Sequence, residues 1–194
     1  MGKQRARPAA HRRDRAPLVL ASRSPQRRAL LEQLGVPFRA VPADVEELRS
    51  GEPRAAVVEN ALRKARAVEG ERVLGVDTEV VLGTDLLGKP ASESDAEGFL
   101  RRLSGRAHEV MSGIALIEGA RELTDVSVTR VRFRALSERD IAWYLASGEW
   151  RERAGGYAIQ GRGAALVEAI EGDYSNVVGL PIPALLGLIP DLLG

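Results

Sequence analysis

From Pro17 onward the chain alternates between two spacings of apolar residues. Leu18–Ala21 is a short continuous apolar run and predicts a buried strand. It leads into Ser24-Pro25, an N-cap followed by a proline suited to the first helical position. Leu30, Leu31 and Leu34 then recur at helical spacing up to a stop at Gly35, predicting a helix over Pro25–Leu34. Phe38–Val41 reads as a second strand. Pro53 to Val68 predicts a strong helix, with Val57, Val58, Ala61, Leu62, Ala65 and Val68 on or near one face. Arg72–Leu82 is β-rich and is followed by a turn at Gly83–Asp85. Ser92 opens a further helix that closes at Gly105. Glu109–Ile117 and Leu123–Arg134 predict two strands joined around Gly119. Ser137 with Asp140 makes a capping-box-like start to a helix that ends at Gly148. This is the order of an α/β chain without the strict βαβ repetition of a doubly wound fold. The paired strands around Gly83 and Gly119 predict a mixed sheet with long antiparallel ribbons.

Composition narrows the setting. The 194 residues, 44% of them apolar, suffice for one globular domain with a real core. The absence of cysteine excludes a disulfide scaffold, a Cys-zinc site and a thiol nucleophile. No apolar run approaches the ~20 residues of a membrane span. The charged N-terminus leads only into Leu18–Ala21, which is too short for a signal peptide. A cytoplasmic protein with no membrane partner is expected. The formal net charge of +1 is uneven: residues 1–16 hold six Lys/Arg and one Asp, a net +5, so the other 178 carry −4. That basic segment is expected to be a disordered tail ahead of a single domain over residues 17–194. It has no aromatic residue for stacking, so nucleic acid is not an expected partner.

Two local anomalies carry the chemistry. A helix N-terminus holds about half a positive charge and disfavours cations. Yet Arg23, Arg27 and Arg28 crowd the start of the first predicted helix, with no acid before Glu32. In RVLGVDTEVVLG, Asp77 interrupts a run of Val73, Leu74, Val76, Val80, Val81 and Leu82. Burying an unpaired carboxylate costs several kcal/mol after relaxation, so Asp77 requires a metal, a cation or exposure at a strand end. Glu79 lies two residues on and shares its face. Asn60 and Lys64, one turn apart, share a helix face; Lys89 follows the hairpin, and Asp44, Glu46 and Glu47 follow the second strand. Gln160 stands among glycines in GGYAIQGRG. Helix N–H groups and arginines that hold phosphate, with carboxylates that bind Mg²⁺, form an inventory for phosphoryl chemistry on a polyphosphate. There is no GxxxxGK[ST], so the chain is not a P-loop enzyme, and two histidines make a histidine-rich zinc site untenable.

LASRSPQRRALLEQLGVPF, NALRKA, GVDTEVV, GKP, LSGRAHEVMSG, SGEWRERAGGYAIQG and IEGDYSNVVGLP, in this order, resemble the Maf-type nucleoside triphosphate pyrophosphatases over Leu18–Leu185. The resemblance implies an α/β fold with an elongated mixed central sheet, flanking helices and a substrate cleft, related to inosine-triphosphate pyrophosphatases. It implies cleavage of nucleoside triphosphates between the α and β phosphates, with Mg²⁺ or Mn²⁺ as cofactor, as house-cleaning of non-standard or excess nucleotides. Carried over by motif, Asp77 is the catalytic carboxylate and Glu47 helps it hold the metal. Lys64 and Lys89 neutralise charge on phosphate oxygens, while Ser22, Ser24 and Arg27 cradle the triphosphate. Position 26, with Thr78 and Gln160, tracks base preference: dTTP- and UTP-preferring members carry Arg there, and a branch acting on 7-methyl-GTP an aromatic residue. Gln26 matches neither, Glu79 stands where Val is usual, and Arg153 where Lys is usual. Tyr157, Tyr174, Trp143 and Trp150 are either base-stacking or core aromatics, and His108 is either structural or catalytic. A homodimer is left open, and the family's link to septum formation keeps a non-enzymatic nucleotide-binding regulator as the alternative.

Overall fold

A computed structural model describes residues 16–193; the basic segment, apart from Ala16, lies outside the described residues. Seven strands form one mixed sheet. They are β1 (Leu18–Ala21), β2 (Phe38–Val41), β3 (Arg72–Leu82), β4 (Asp85–Leu87), β5 (Ala107–Glu118), β6 (Arg121–Phe133) and β7 (Val167–Glu171). The strand order is β2-β1-β3-β5-β6-β7, with β4 on β3. β1 pairs in parallel with β2 and β3, whereas β3, β5, β6 and β7 form long antiparallel ribbons. The predicted α/β class, mixed sheet and elongated ribbons are therefore all present. Among the described residues no helix is long and apolar enough to cross a membrane.

The helices are α1 (Pro25–Gln33), α2 (Pro53–Arg66), α3 (Glu93–Leu103), α4 (Glu138–Leu145), α5 (Tyr174–Val178) and α6 (Ile182–Leu188). The caps read from sequence hold. Ser24 accepts from the Arg27 amide, and Ser92 and Ser137 close full capping boxes with Asp95 and Asp140. Gly35 follows α1 at φ 65, a left-handed conformation that glycine adopts without penalty. The sequence reading passed over β7, α5 and α6. β7 is a five-residue edge strand and α5 a five-residue helix, both too short for periodicity to mark.

One face of the sheet carries α2. Two glycines allow it to lie backbone against backbone: a Cβ on Gly75 would stand 2.0 Å from the Ala61 carbonyl oxygen, and one on Gly113 2.2 Å from that of Val57. The opposite face carries two separate apolar clusters. One joins α1 and α6 to Leu74, Val76, Ile114 and Leu116; the other joins α3 and α4 to Val80, Val110, Val131 and Phe133. Between them, register partners Thr78 and Ser112 interrupt the apolar pattern. The sheet itself is split at the same place. β1 pairs with Val73–Gly75 of β3 and β4 with Val80–Leu82, so among the described residues the edge of β3 from Val76 to Glu79 has no strand on that side. Both faces of β3 open there into one cleft, at the carboxyl end of β1, where open α/β sheets bind ligands.

Candidate active site

Asp77 forms the floor of the cleft and is 3% exposed, so of the alternatives open to it exposure at a strand end falls away and a cation partners it. Its two oxygens are separately engaged: Lys64 Nζ lies 2.5 Å from Oδ1, and Asn60 Nδ2 donates to Oδ2 at 2.9 Å. Both donors come from one face of α2, which the close approach over Gly75 and Gly113 presses against β3. The same ammonium lies 2.6 Å from Glu47 Oε1. Asn60 also receives the Leu48 amide at 2.7 Å and donates to the Leu48 carbonyl, fixing the loop that carries Glu47. Sequence reasoning placed Asn60 beside Lys64 but gave it no part in the site; this second contact explains its complete burial.

Thr78, the next residue, faces the other way. Its hydroxyl lies 2.8 Å from Ser112 Oγ and accepts from Arg27 Nη2 at 3.0 Å. Arg27 also donates through Nη1 to Ser22 Oγ and through Nε to the Gly179 carbonyl, at 3.1 and 2.8 Å. All three acceptors are neutral, and no carboxylate pairs with this buried guanidinium among the described residues. Burial lowers its pKa from the ordinary arginine value, opposed by the charges of Asp77 and Glu47. A buried cation with two N–H bonds to spare and no counter-ion is built for an anion. Gly179, which supplies the buried carbonyl after α5, was missed because α5 itself carried no signal.

The other sequence-predicted residues form the rim, and all ten candidate site residues line this single cleft. Ser24 Oγ donates to Gln26 Oε1 at 3.1 Å, and Arg153 Nη1 donates to the same oxygen from the facing wall. Lys89 is 55% exposed and 3.5 Å from Glu152, and Gln160 is exposed beyond it. Arg28 is exposed outside the cleft, whereas Arg23, also exposed, lines the cleft mouth 3.7 Å from Asp44. Trp150 belongs to the core and Tyr157 is a core residue that also reaches the cleft wall, while Trp143 and Tyr174 are exposed and outside the cleft. His108 is likewise structural: buried, 2.8 Å from the Tyr157 hydroxyl through Nε2, edge-on to Phe133, and depressed by burial to about 4.

Glu79 is the anomaly of the floor. It is 9% exposed, its Oε2 is buried without a hydrogen-bond partner among the described residues, and Gly88 leaves the space beside it. Burial first, then the nearby charges of Asp77 and Glu47, push it up to about 8. The donors at Asp77 and Glu47 are hard oxygens that already converge on one positive centre, the Lys64 ammonium. No three acidic or histidine side chains make a ready metal cage among the described residues. Mg²⁺ needs no such cage, because it is commonly held by one or two carboxylates together with substrate phosphates and waters. These residues fit Mg²⁺ or Mn²⁺.

A split mixed sheet with a carboxylate floor, and a buried guanidinium facing it across one strand, makes a cleft suited to a polyanion. The chain belongs to the Maf-like protein family, whose model matches residues 17–192. It is 50% identical over 171 residues to a dTTP/UTP pyrophosphatase of Symbiobacterium thermophilum, covering 85% of this chain and 88% of that protein. It is 52% identical over 172 residues to one of Anaeromyxobacter sp. Fw109-5, covering 85% and 84%. It is 48% identical over 174 residues to one of Thermus thermophilus, covering 89% and 93%. The family identification made from the motifs therefore holds, and with it the class of nucleoside triphosphate pyrophosphatase.

Proposed function

We propose that this chain hydrolyses dTTP and UTP to the nucleoside monophosphate and pyrophosphate, as a house-cleaning enzyme acting in the cytoplasm through one domain over residues 17–194. The observation that carries this reading is Arg27: a buried guanidinium without a counter-anion, opposite a carboxylate floor. The preference for thymine and uracil rests on the named activity of relatives about half identical in sequence, and not on position 26, where Gln26 departs from the arginine that the resemblance ties to it.

Asp77 is the group that orients the attacking water and accepts its proton. Asn60 and Lys64 fix its two oxygens, so little reorganisation is needed when charge develops. A divalent cation, Mg²⁺ or Mn²⁺, held by Asp77 and Glu47 would polarise the phosphoryl group and lower the pKa of a bound water. Arg27, Ser22 and Ser24 hold the phosphates at the mouth of α1, where helix N–H groups also point. Lys64 stays with the acid floor and offsets its charge, and Lys89, more exposed, meets the departing pyrophosphate. Gln26, Thr78 and Gln160 set base preference. A purely regulatory nucleotide-binding role has no supporting observation, since binding alone does not require a buried carboxylate poised by two donors.

Phosphorus NMR of the products, with a panel of standard and modified nucleotides and Mg²⁺ or Mn²⁺, tests the proposal. Pyrophosphate and monophosphate should be the primary products, with dTTP and UTP turned over fastest. Diphosphate and orthophosphate as primary products would sink the assignment.

A further inference from the structure

Thr78 and Ser112 are register partners on β3 and β5, and their hydroxyl oxygens lie 2.8 Å apart, so one of them donates to the other. The surroundings decide which. Ser112 is 0% exposed, and among the described residues Thr78 is the one partner of its Oγ. Were Thr78 the donor, the Ser112 proton would be buried with no acceptor, at the full desolvation penalty of an unmade hydrogen bond. Ser112 therefore donates. Arg27 Nη2 also lies 3.0 Å from the Thr78 oxygen, and a guanidinium can only donate. A hydroxyl oxygen has two lone pairs, and both are now taken. The proton of Thr78 has no acceptor among the described residues, and Thr78 is half-buried in the cleft wall. Gln26 is fixed in the same sense: its Oε1 receives Ser24 and Arg153, which leaves its N–H groups for a ligand.

We propose that Ser112 is a positioning residue for base selection. By filling the second lone pair of Thr78 it makes that hydroxyl a donor only. The cleft then accepts a pyrimidine with a carbonyl at ring position 4 and turns away one with an amino group there. Thymine and uracil carry the carbonyl, and cytosine carries the amino group. A donor set against an amino group leaves both unpaired, and a site that must leave its polar groups unpaired discriminates strongly. Ser112 lies behind Thr78, fully buried and outside the cleft lining, so it acts through Thr78 and not by touching the base. The inference rests on the nucleotide-hydrolysis reading and on Thr78 as a base contact within it.

The test is pyrophosphate release from UTP and from CTP by the full chain with Mg²⁺. The native protein should favour UTP over CTP by at least about a hundredfold in kcat/KM. Ser112→Ala frees a lone pair on Thr78, which can then accept from the cytosine amino group. CTP should gain while UTP changes little, so that the ratio falls by at least about tenfold. A merely structural serine would lower both nucleotides together and leave the ratio as it was. Thr78→Val keeps the shape and removes the donor, and should lower UTP more than CTP. Equal turnover of UTP and CTP by the native protein, an unchanged ratio in Ser112→Ala, or equal losses in Thr78→Val overturns the Ser112 inference and leaves the pyrophosphatase reading standing. No pyrophosphate from UTP overturns the parent reading, and the inference with it.

Discussion

Asp77 and Thr78 are adjacent on β3, and the two sides of the strand have opposite chemistry. On the Asp77 side the charges are paired: one ammonium bridges two carboxylates, and an asparagine ties the acid loop to the floor. On the Thr78 side a buried guanidinium rests on three neutral oxygens. The first side is nearly complete without ligand; the second is complete only with an anion. The same cleft thus holds a reacting centre whose geometry is preset and a binding centre whose charge balance comes from substrate. Removing a residue from the first side should therefore strike turnover, and removing Arg27 from the second, binding of the phosphates common to all substrates.

The largest effect is expected from Asp77→Asn, which keeps the shape and removes the charge. General-base contributions run to ~10²–10⁴-fold, so kcat should fall at least that far while the protein melts as a folded chain. Retention of most activity would reduce Asp77 to a structural ion-pair partner and dissolve the contrast between the two sides.

Arg27→Ala should lower kcat/KM for every triphosphate by similar factors, about ten- to a hundredfold, the worth of a lost charge-assisted hydrogen bond. Steady-state kinetics across several bases would show it. A base-selective loss would mean that the guanidinium reads the nucleobase and not phosphate.

Gly113→Ala separates the sides by mechanical means. The new Cβ would press on the Val57 carbonyl, 2.2 Å away, and force α2 off the sheet. Overpacking of this kind costs about 1–3 kcal/mol in denaturant unfolding. Lys64 and Asn60 move with α2, so kcat should drop while pyrophosphate, held on the Thr78 side, still inhibits at near-native concentrations. Equal damage to both would show that the two sides are not separable.

The mildest change is expected from Gln26→Arg. Gln26 Oε1 receives Arg153 and Ser24, so a second guanidinium there faces Arg153 and must be redirected towards the base. The ranking of nucleotides by kcat/KM should change, with the shared phosphate step altered less than about tenfold. A uniform loss over four or five nucleotides would instead make Gln26 another phosphate-end residue.

Much of this was legible along the chain. Leu18–Ala21, the capped helices and the ribbons around Gly83 and Gly119 follow from periodicity and caps, which act over a few residues. Asp77 in its apolar run and the arginines at Ser24-Pro25 were visible because each breaks a local rule, and the ordered motifs identified the family. What surrounds those residues was settled only by tertiary structure. The carbonyl that receives Arg27 Nε belongs to Gly179, 152 residues away, after a helix too short to announce itself. The gap in the sheet arises because β1 stops pairing at Gly75 and β4 begins at Val80, a matter of register between separate strands. Gly75 and Gly113 read as ordinary strand glycines until the backbone of α2 lies on them. Residue type and spacing state which groups need a partner. Whether the partner is a lysine, as for Asp77, or no counter-ion stands among the described residues, as for Arg27, depends on which distant segments the fold packs against them.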